Sequence, residues 1–141
     1  MNKLPLIARL LLGLIFFVFG LNGFLNFIPV PENLPEKLTL FMNALNASGY
    51  FFPLLKITET TCGALLLAGV FVPLALIVLA PIILNIFLTH AFLAPDGLVL
   101  ASVIGLLEIY LAFFAKPYSG IVKQIFRCPM REAKMGNKDG K

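Results

Sequence analysis

The sequence predicts an all-α membrane protein: a four-transmembrane-helix up-down bundle with a short amphipathic helix in the first extracytoplasmic loop. Three observations predict it. Of the 141 residues, 60% are hydrophobic and 13% charged, with a mean hydropathy of +0.96, whereas a soluble domain carries about 25% charged residues. A chain so poor in charge cannot cover its own surface in water, so its solvent is lipid. The apolar residues fall into four stretches, each close to the roughly 20 residues that cross the hydrocarbon core. The basic residues gather near the chain ends, as they do on the cytoplasmic side of multi-pass proteins.

The first span, Leu4 to Ile28, reads LPLIARLLLGLIFFVFGLNGFLNFI and is closed by Pro29 and Pro31. Lys3 precedes it as in a secretory leader. Arg9, however, interrupts the apolar run, the run is too long, and no A-x-A site follows, so a retained helix is expected. In the loop ENLPEKLTLFMNALNASG, Asn33 followed by Glu36 resembles a capping box with asparagine in place of Ser or Thr. Leu38, Phe41, Met42 and Leu45 then fall at helical spacing until Ser48-Gly49 stops the run, which predicts a short amphipathic helix on the membrane surface. The second span covers about Phe51 to Phe71, the third Pro73 to Ala94 and the fourth Leu98 to Ala115. Pro81 removes a backbone bond inside the third and predicts a kink. Pro95-Asp96-Gly97 is a turn signal, because proline presets φ and glycine tolerates positive φ; Asp96 or Gly97 is the expected cap of the fourth helix.

The chain therefore divides into a transmembrane domain over 1–115 and a basic tail over 116–141. Seven of the eleven basic residues, Lys116, Lys123, Arg127, Arg131, Lys134, Lys138 and Lys141, belong to that tail. With Lys3 and Arg9 at the other terminus, they predict that both termini are cytoplasmic, and an even number of spans agrees. The tail is expected to begin as an amphipathic surface helix around Ile121 to Phe126, its cations suited to the anionic inner leaflet. The net charge of +4 thus reads as a membrane anchor rather than a nucleic-acid face.

Orientation gives depth through the rise per residue. Measured from the outer ends, Lys56 lies roughly 7 Å in, Glu59 roughly 12 Å, Asn85 roughly 13 Å, His90 roughly 6 Å, Asn22 roughly 9 Å and Glu108 roughly 15 Å. All of them fall in the outer half or at the midplane. An ionisable residue at a helix centre costs about 2.5–3.5 kcal/mol on insertion scales, so such residues usually face the bundle interior or a wet cavity. Lys56 and Glu59 share a helix face and can pair. Glu108 lies on a row with Ala101, Gly105 and Ala112, small residues that permit close helix approach and so point the row inward. These positions define a candidate polar cavity lined by Lys56, Glu59, Asn85, His90, Glu108 and Asn22.

Structural alternatives stand beside each. Asn22, Asn26, Asn85 and Thr89 suit hydrogen bonds between helices, Lys56 could snorkel to the headgroups, and His90 lies close enough to the interface to be an ordinary boundary residue. Cys62 in the second span reads as packing, and Cys128 stands among basic residues of the tail. Without a C-x-x-C pair, neither a dithiol centre nor a zinc cluster is written here.

These residues resemble a known family. ARLLLGLIFFVFGLNGF at Ala8 to Phe24 and KITETTCGALLLAGVFVPLALIVLAPIILNIFLTHAFLAP at Lys56 to Pro95 are similar to DoxX family membrane proteins. The likeness rests on the order of Glu59 and Gly63, then Pro73, then Asn85 and His90, and runs from Ala8 to about Ala115. It implies a four-helix bundle in a bacterial or archaeal cytoplasmic membrane, with Glu59 and His90 as the family-like polar residues. The family takes its name from a subunit of a thiosulfate:quinone oxidoreductase, and other members are associated with membrane redox complexes, thiol stress and oxidant detoxification. The resemblance thus implies a redox accessory subunit, not catalytic on its own, with a quinone as the candidate ligand. Its partners would be the bilayer, a membrane oxidoreductase or further copies of the chain. One histidine and two separated cysteines cannot by themselves bind a haem pair or an iron–sulfur cluster. A ligand-free subunit that anchors a partner through small-residue faces such as Ala64 with Ala68 is the alternative. A small-solute transporter ranks third, since the halves show no inverted repeat.

Overall fold

The structure is a computed structural model and describes residues 2–130. Arg131, Lys134, Lys138 and Lys141 of the expected anchor lie outside the described residues. The described chain is all-helical: α1 (Leu4–Leu25), α2 (Glu36–Ala47), α3 (Phe51–Ala68), α4 (Val72–Phe92), α5 (Leu98–Ile109) and α6 (Lys116–Ile125). A single 3-10 turn over Pro95–Gly97 links α4 to α5, and α5 runs on into a π turn over Tyr110–Phe114. Four helical segments are long and apolar enough to cross a membrane: Leu4–Leu25, Phe51–Ala68, Val72–Phe92 and Pro95–Phe114. They form a multi-pass membrane bundle.

Proline and glycine punctuate these helices for identifiable reasons. Pro5, Pro73 and Pro117 stand in first turns, where a missing N–H costs nothing. Gly69 ends α3 at φ +76, and both its own N–H and that of Val70 return to the Leu65 carbonyl, the left-handed closure that glycine allows. α4 starts three residues later, so α3 and α4 are antiparallel neighbours.

The helices close into a ring in which α1 packs on α3, α3 on α4, α4 on α5, and α5 returns to α1. Leu12, Leu66, Leu76, Leu79 and Leu111 fill the centre, each almost wholly buried. The tightest seam is α1 against α3. A Cβ added at Gly13 would stand 2.9 Å from Leu66 Cβ, and one at Gly63 would stand 2.8 Å from Phe17 Cα and 2.9 Å from the Gly13 carbonyl. Without a hydrophobic drive between helices in lipid, such backbone proximity is what dispersion attraction requires. The outer faces carry Leu10, Leu14, Leu54, Ile57, Leu84 and Leu106 exposed, a continuous apolar girdle that suits acyl chains.

Several expectations change. The capping box does not form: Pro35 takes the N-cap position of α2, no side chain caps it, and Asn33 lies outside the helix. Proline at that place cannot donate, so the geometry a box needs is absent. The short amphipathic helix α2 forms in the first loop, and its apolar face also covers a cavity, as described below. α1 ends at Leu25, three residues before the expected Ile28, because Asn26 turns left-handed at φ 49. Of the two expected caps of the fourth helix, Gly97 takes the N-cap position of α5, and Asp96 makes no capping hydrogen bond. Ala64 and Ala68 are exposed on α3 rather than buried in a helix seam. The tail helix begins at Lys116 rather than near Ile121. Its Ser119 and Val122 are buried, and it packs on α4 and the π turn instead of lying apart. Pro81 lies inside α4, as expected, and the helix spans it from Val72 to Phe92.

Candidate functional site

Three residues apart on α3, Lys56 and Glu59 meet through an ion pair of 2.8 Å between Nζ and Oε2. Helical spacing alone allows this contact; the surroundings make it specific. The Lys56 stem lies across Gly23 of α1, a position where any Cβ would collide with it. Its ammonium stands 5.7 Å from the centroid of the Phe52 ring one turn earlier, within cation–π range. Lys56 therefore folds down onto its partner rather than snorkelling to the headgroups. Glu59 is 4% exposed and Lys56 is half-buried, so the pairing is consequential.

On α4, His90 is held from behind. Its Nδ1 lies 3.1 Å from the Ala94 carbonyl. A carbonyl only accepts, so Nδ1 carries the proton and Nε2 remains an acceptor in the neutral ring. The ring packs on Gly97, which leaves no room for a Cβ there. Gly97→Ala is expected to turn the ring away from Ala94 with little loss of stability, since its φ of −88 strains no L residue. Imidazole nitrogen NMR checks this: the wild type should show the Nδ1–H form, and the variant a mixed tautomer signal. An unchanged spectrum would mean that Gly97 does not set the ring.

Lys56, Glu59, Asn85, His90 and Asn22 all line one cavity of about 410 Å³, with Thr89 beside them. Leu38, Phe41, Met42 and Leu45 of α2 form its roof, and Ile104 of α5 contributes to the far wall. Asn22 serves the wall from within its own turn: its Oδ1 accepts the Ile28 N–H at 2.8 Å and holds the chain leaving α1. Thr89 Oγ1 donates to the Asn85 carbonyl at 2.7 Å, a bond within α4. None of the hydrogen bonds of Asn22 and Thr89 crosses between helices. Asn26 is an exposed terminus of α1.

Glu108 is not in this cavity. It is buried, as the small-residue row led one to expect, together with Ala101 and Ala112. Yet it lines a separate groove between α4, α5 and α6, and Gly105 meets no neighbouring atom. Cys62 is buried and Cys128 exposed, both free thiols. No group of three or more His, Cys, Asp or Glu able to hold a metal occurs among the described residues.

Two features of the cavity went unread in the sequence. The roof was one, because an apolar stripe that suits a membrane surface suits a cavity equally. The other was Phe52, whose position four residues before Lys56 was a usable signal.

The comparisons with known proteins fit this architecture. The DoxX family model matches residues 4–92, well over half of the chain. The chain belongs to the DoxX family. The matched segment spans α1 to α4 and contains every wall residue named above except Ile104; α5, Glu108 and α6 fall beyond it. No curated protein matches the chain, and no solved structure does.

Proposed function

We propose that this DoxX protein is an accessory component of a membrane redox or quinone-linked system, and that the cavity beneath α2 binds a small polar head group. One observation carries the reading: an ion pair, an amide and a fixed imidazole from α3 and α4 border a single space of about 410 Å³, within the 300–1,000 Å³ usual for ligand pockets. The donor set fits a quinone head. Lys56 and the Asn85 amide can donate to a carbonyl, while Glu59 and His90 Nε2 can accept from a hydroxyl. A bound quinone would supply the electron-carrying chemistry. The chain's residues would orient it, and Glu59 with His90 would hold or release the accompanying proton. The α2 roof would keep bulk water away, and its apolar face would receive the attached chain.

In this reading both termini face the cytoplasm, so the cavity opens toward the outer side of the cytoplasmic membrane. Lys3, Arg9, Lys116 and Lys123 at the opposite end of the bundle support that orientation. The exposed Ala64 and Ala68 favour a second reading, a ligand-free subunit that seats a partner helix on α3.

Native mass spectrometry of protein extracted in its own lipids separates the two. A bound small molecule should be present in the wild type and lost, or at least tenfold depleted, in Glu59→Gln and in Glu59→Gln with His90→Ala. A stable partner chain without any ligand, indifferent to both substitutions, would replace this proposal with the second reading.

A further inference from the structure

Glu108 lines a groove of about 710 Å³ on the opposite side of α4 and α5 from the cavity, and nothing proposed for that cavity involves it. The groove is apolar nearly throughout. Leu76, Ile83, Leu84 and Phe87 of α4 face Ile109 and Phe113 of α5 and its π turn. Leu84, Leu106 and Ile109 are exposed on the outer surface, so the groove opens toward lipid. The other polar side chain in its wall is committed, since Ser102 Oγ donates to the Leu98 carbonyl at 2.8 Å. Glu108 itself is 6% exposed, and its Oε2 is buried without a hydrogen-bond partner among the described residues. A buried acceptor left without a donor forfeits the hydrogen bonds that it made in water. A chain bearing it beside a large apolar groove has the elements of a binding site.

We propose that this groove holds a single-chain, membrane-dissolved molecule with a hydroxyl head, the hydroxyl bonded to the Glu108 carboxyl and the chain lying along the apolar walls. A hydroxyl both donates and accepts, so it pairs with the carboxyl in either protonation state. Rotation about the last side-chain bond presents either oxygen. Depth selects against a phospholipid head: Glu108 stands ten residues into α5 from Leu98, roughly 15 Å along the axis. At the other end Phe113, Ile125 and Phe126 close over the groove. A head anchored at either interface does not reach, whereas a freely dissolved alcohol, phenol or hydroquinone does. Gly105 leaves the wall open where a side chain would otherwise fill it. The π turn that follows Glu108 widens the helix at the same place, a feature often found at functional sites. This site is independent of the cavity under α2.

Photolabelling of the full chain in phosphatidylcholine vesicles tests it. The probes are hexadecanol carrying a mid-chain diazirine and the methyl ether of the same molecule. The alcohol should label the α4 and α5 residues of the groove at least tenfold more than the ether. Glu108→Leu should bring the alcohol down to the ether's level, and Gly105→Leu should suppress groove labelling with Glu108 intact. Equal labelling of the wild type by both probes overturns the proposal, and so does label spread evenly over the lipid faces of α1 and α3. Competition by lysophosphatidylcholine as strong as by unlabelled hexadecanol would assign the groove to a lipid head and overturn the free-molecule reading. Should Glu108→Leu fail to fold, the wild-type ratio and Gly105→Leu still decide.

Discussion

Gly63→Leu is expected to destroy the folded bundle. At this position the facing atoms are backbone: Phe17 Cα would lie 2.8 Å from a new Cβ and the Gly13 carbonyl 2.9 Å. A flexible side chain could turn aside, but main chain cannot without separating α1 from α3 along their length. Overpacking of ordinary cores costs about 1–3 kcal/mol, occasionally more, and this site belongs at the upper end. The expected loss is therefore about 3 kcal/mol or more, seen as a lowered unfolding midpoint in a denaturing-detergent titration and a lost symmetrical gel-filtration peak. Gly105→Leu is the control. It meets open space, so its midpoint should stay within about 0.5 kcal/mol of wild type. Equal midpoints for Gly63→Leu and wild type would disprove the close seam.

Removing one member of the Lys56–Glu59 pair should cost nearly as much. Lys56→Met leaves the Glu59 carboxylate buried with no cation beside it, and breaking such a pair costs about 3–5 kcal/mol. Because Lys56 retains 17% side-chain exposure at the cavity, the lower end of that range applies. Replacing both, Lys56→Met with Glu59→Leu, should recover most of the loss, since no uncompensated charge remains. A double-mutant cycle on the same titration measures this. The expected coupling is about 2 kcal/mol, within the range for contacting residues; strictly additive single losses would show that the pair is not a unit. The double variant should also retain the fold while losing any cavity ligand, which separates stability from binding.

The pair and the seam differ in how they could be read beforehand. Lys56 and Glu59 lie on one helix, so their contact follows from a spacing of three residues. The seam joins α1 to α3 across the whole loop containing α2. The glycines that form it, Gly13, Gly20, Gly23 and Gly63, carry no mark distinguishing them from Gly105, which meets nothing. Glycine announces that a close approach is possible, not which neighbour makes it. Ala64 and Ala68 teach the same point from the other side, being small and yet exposed.

The capping box at Asn33 and Glu36 failed for a local reason, the proline between them, and that was legible. The start of α6 was less so. Its amphipathic character was evident, but only packing on α4 and the π turn extends the helix back to Lys116.

The sequence by itself determined the four spans, the family, and the place of each polar residue along its helix, because all of these depend on composition or on distance along the chain. Place along a helix is linear in residue number. Position around the bundle is not. Glu59 and Glu108 reach similar depths, yet Glu59 borders the cavity under α2 while Glu108 lines a lipid-facing groove. What sends them to different sites is which helices stand on either side of each, and that depends on the fit of α1 against α3 and of α6 against α4. Only the tertiary structure decides such contacts, since they join segments that the chain places far apart.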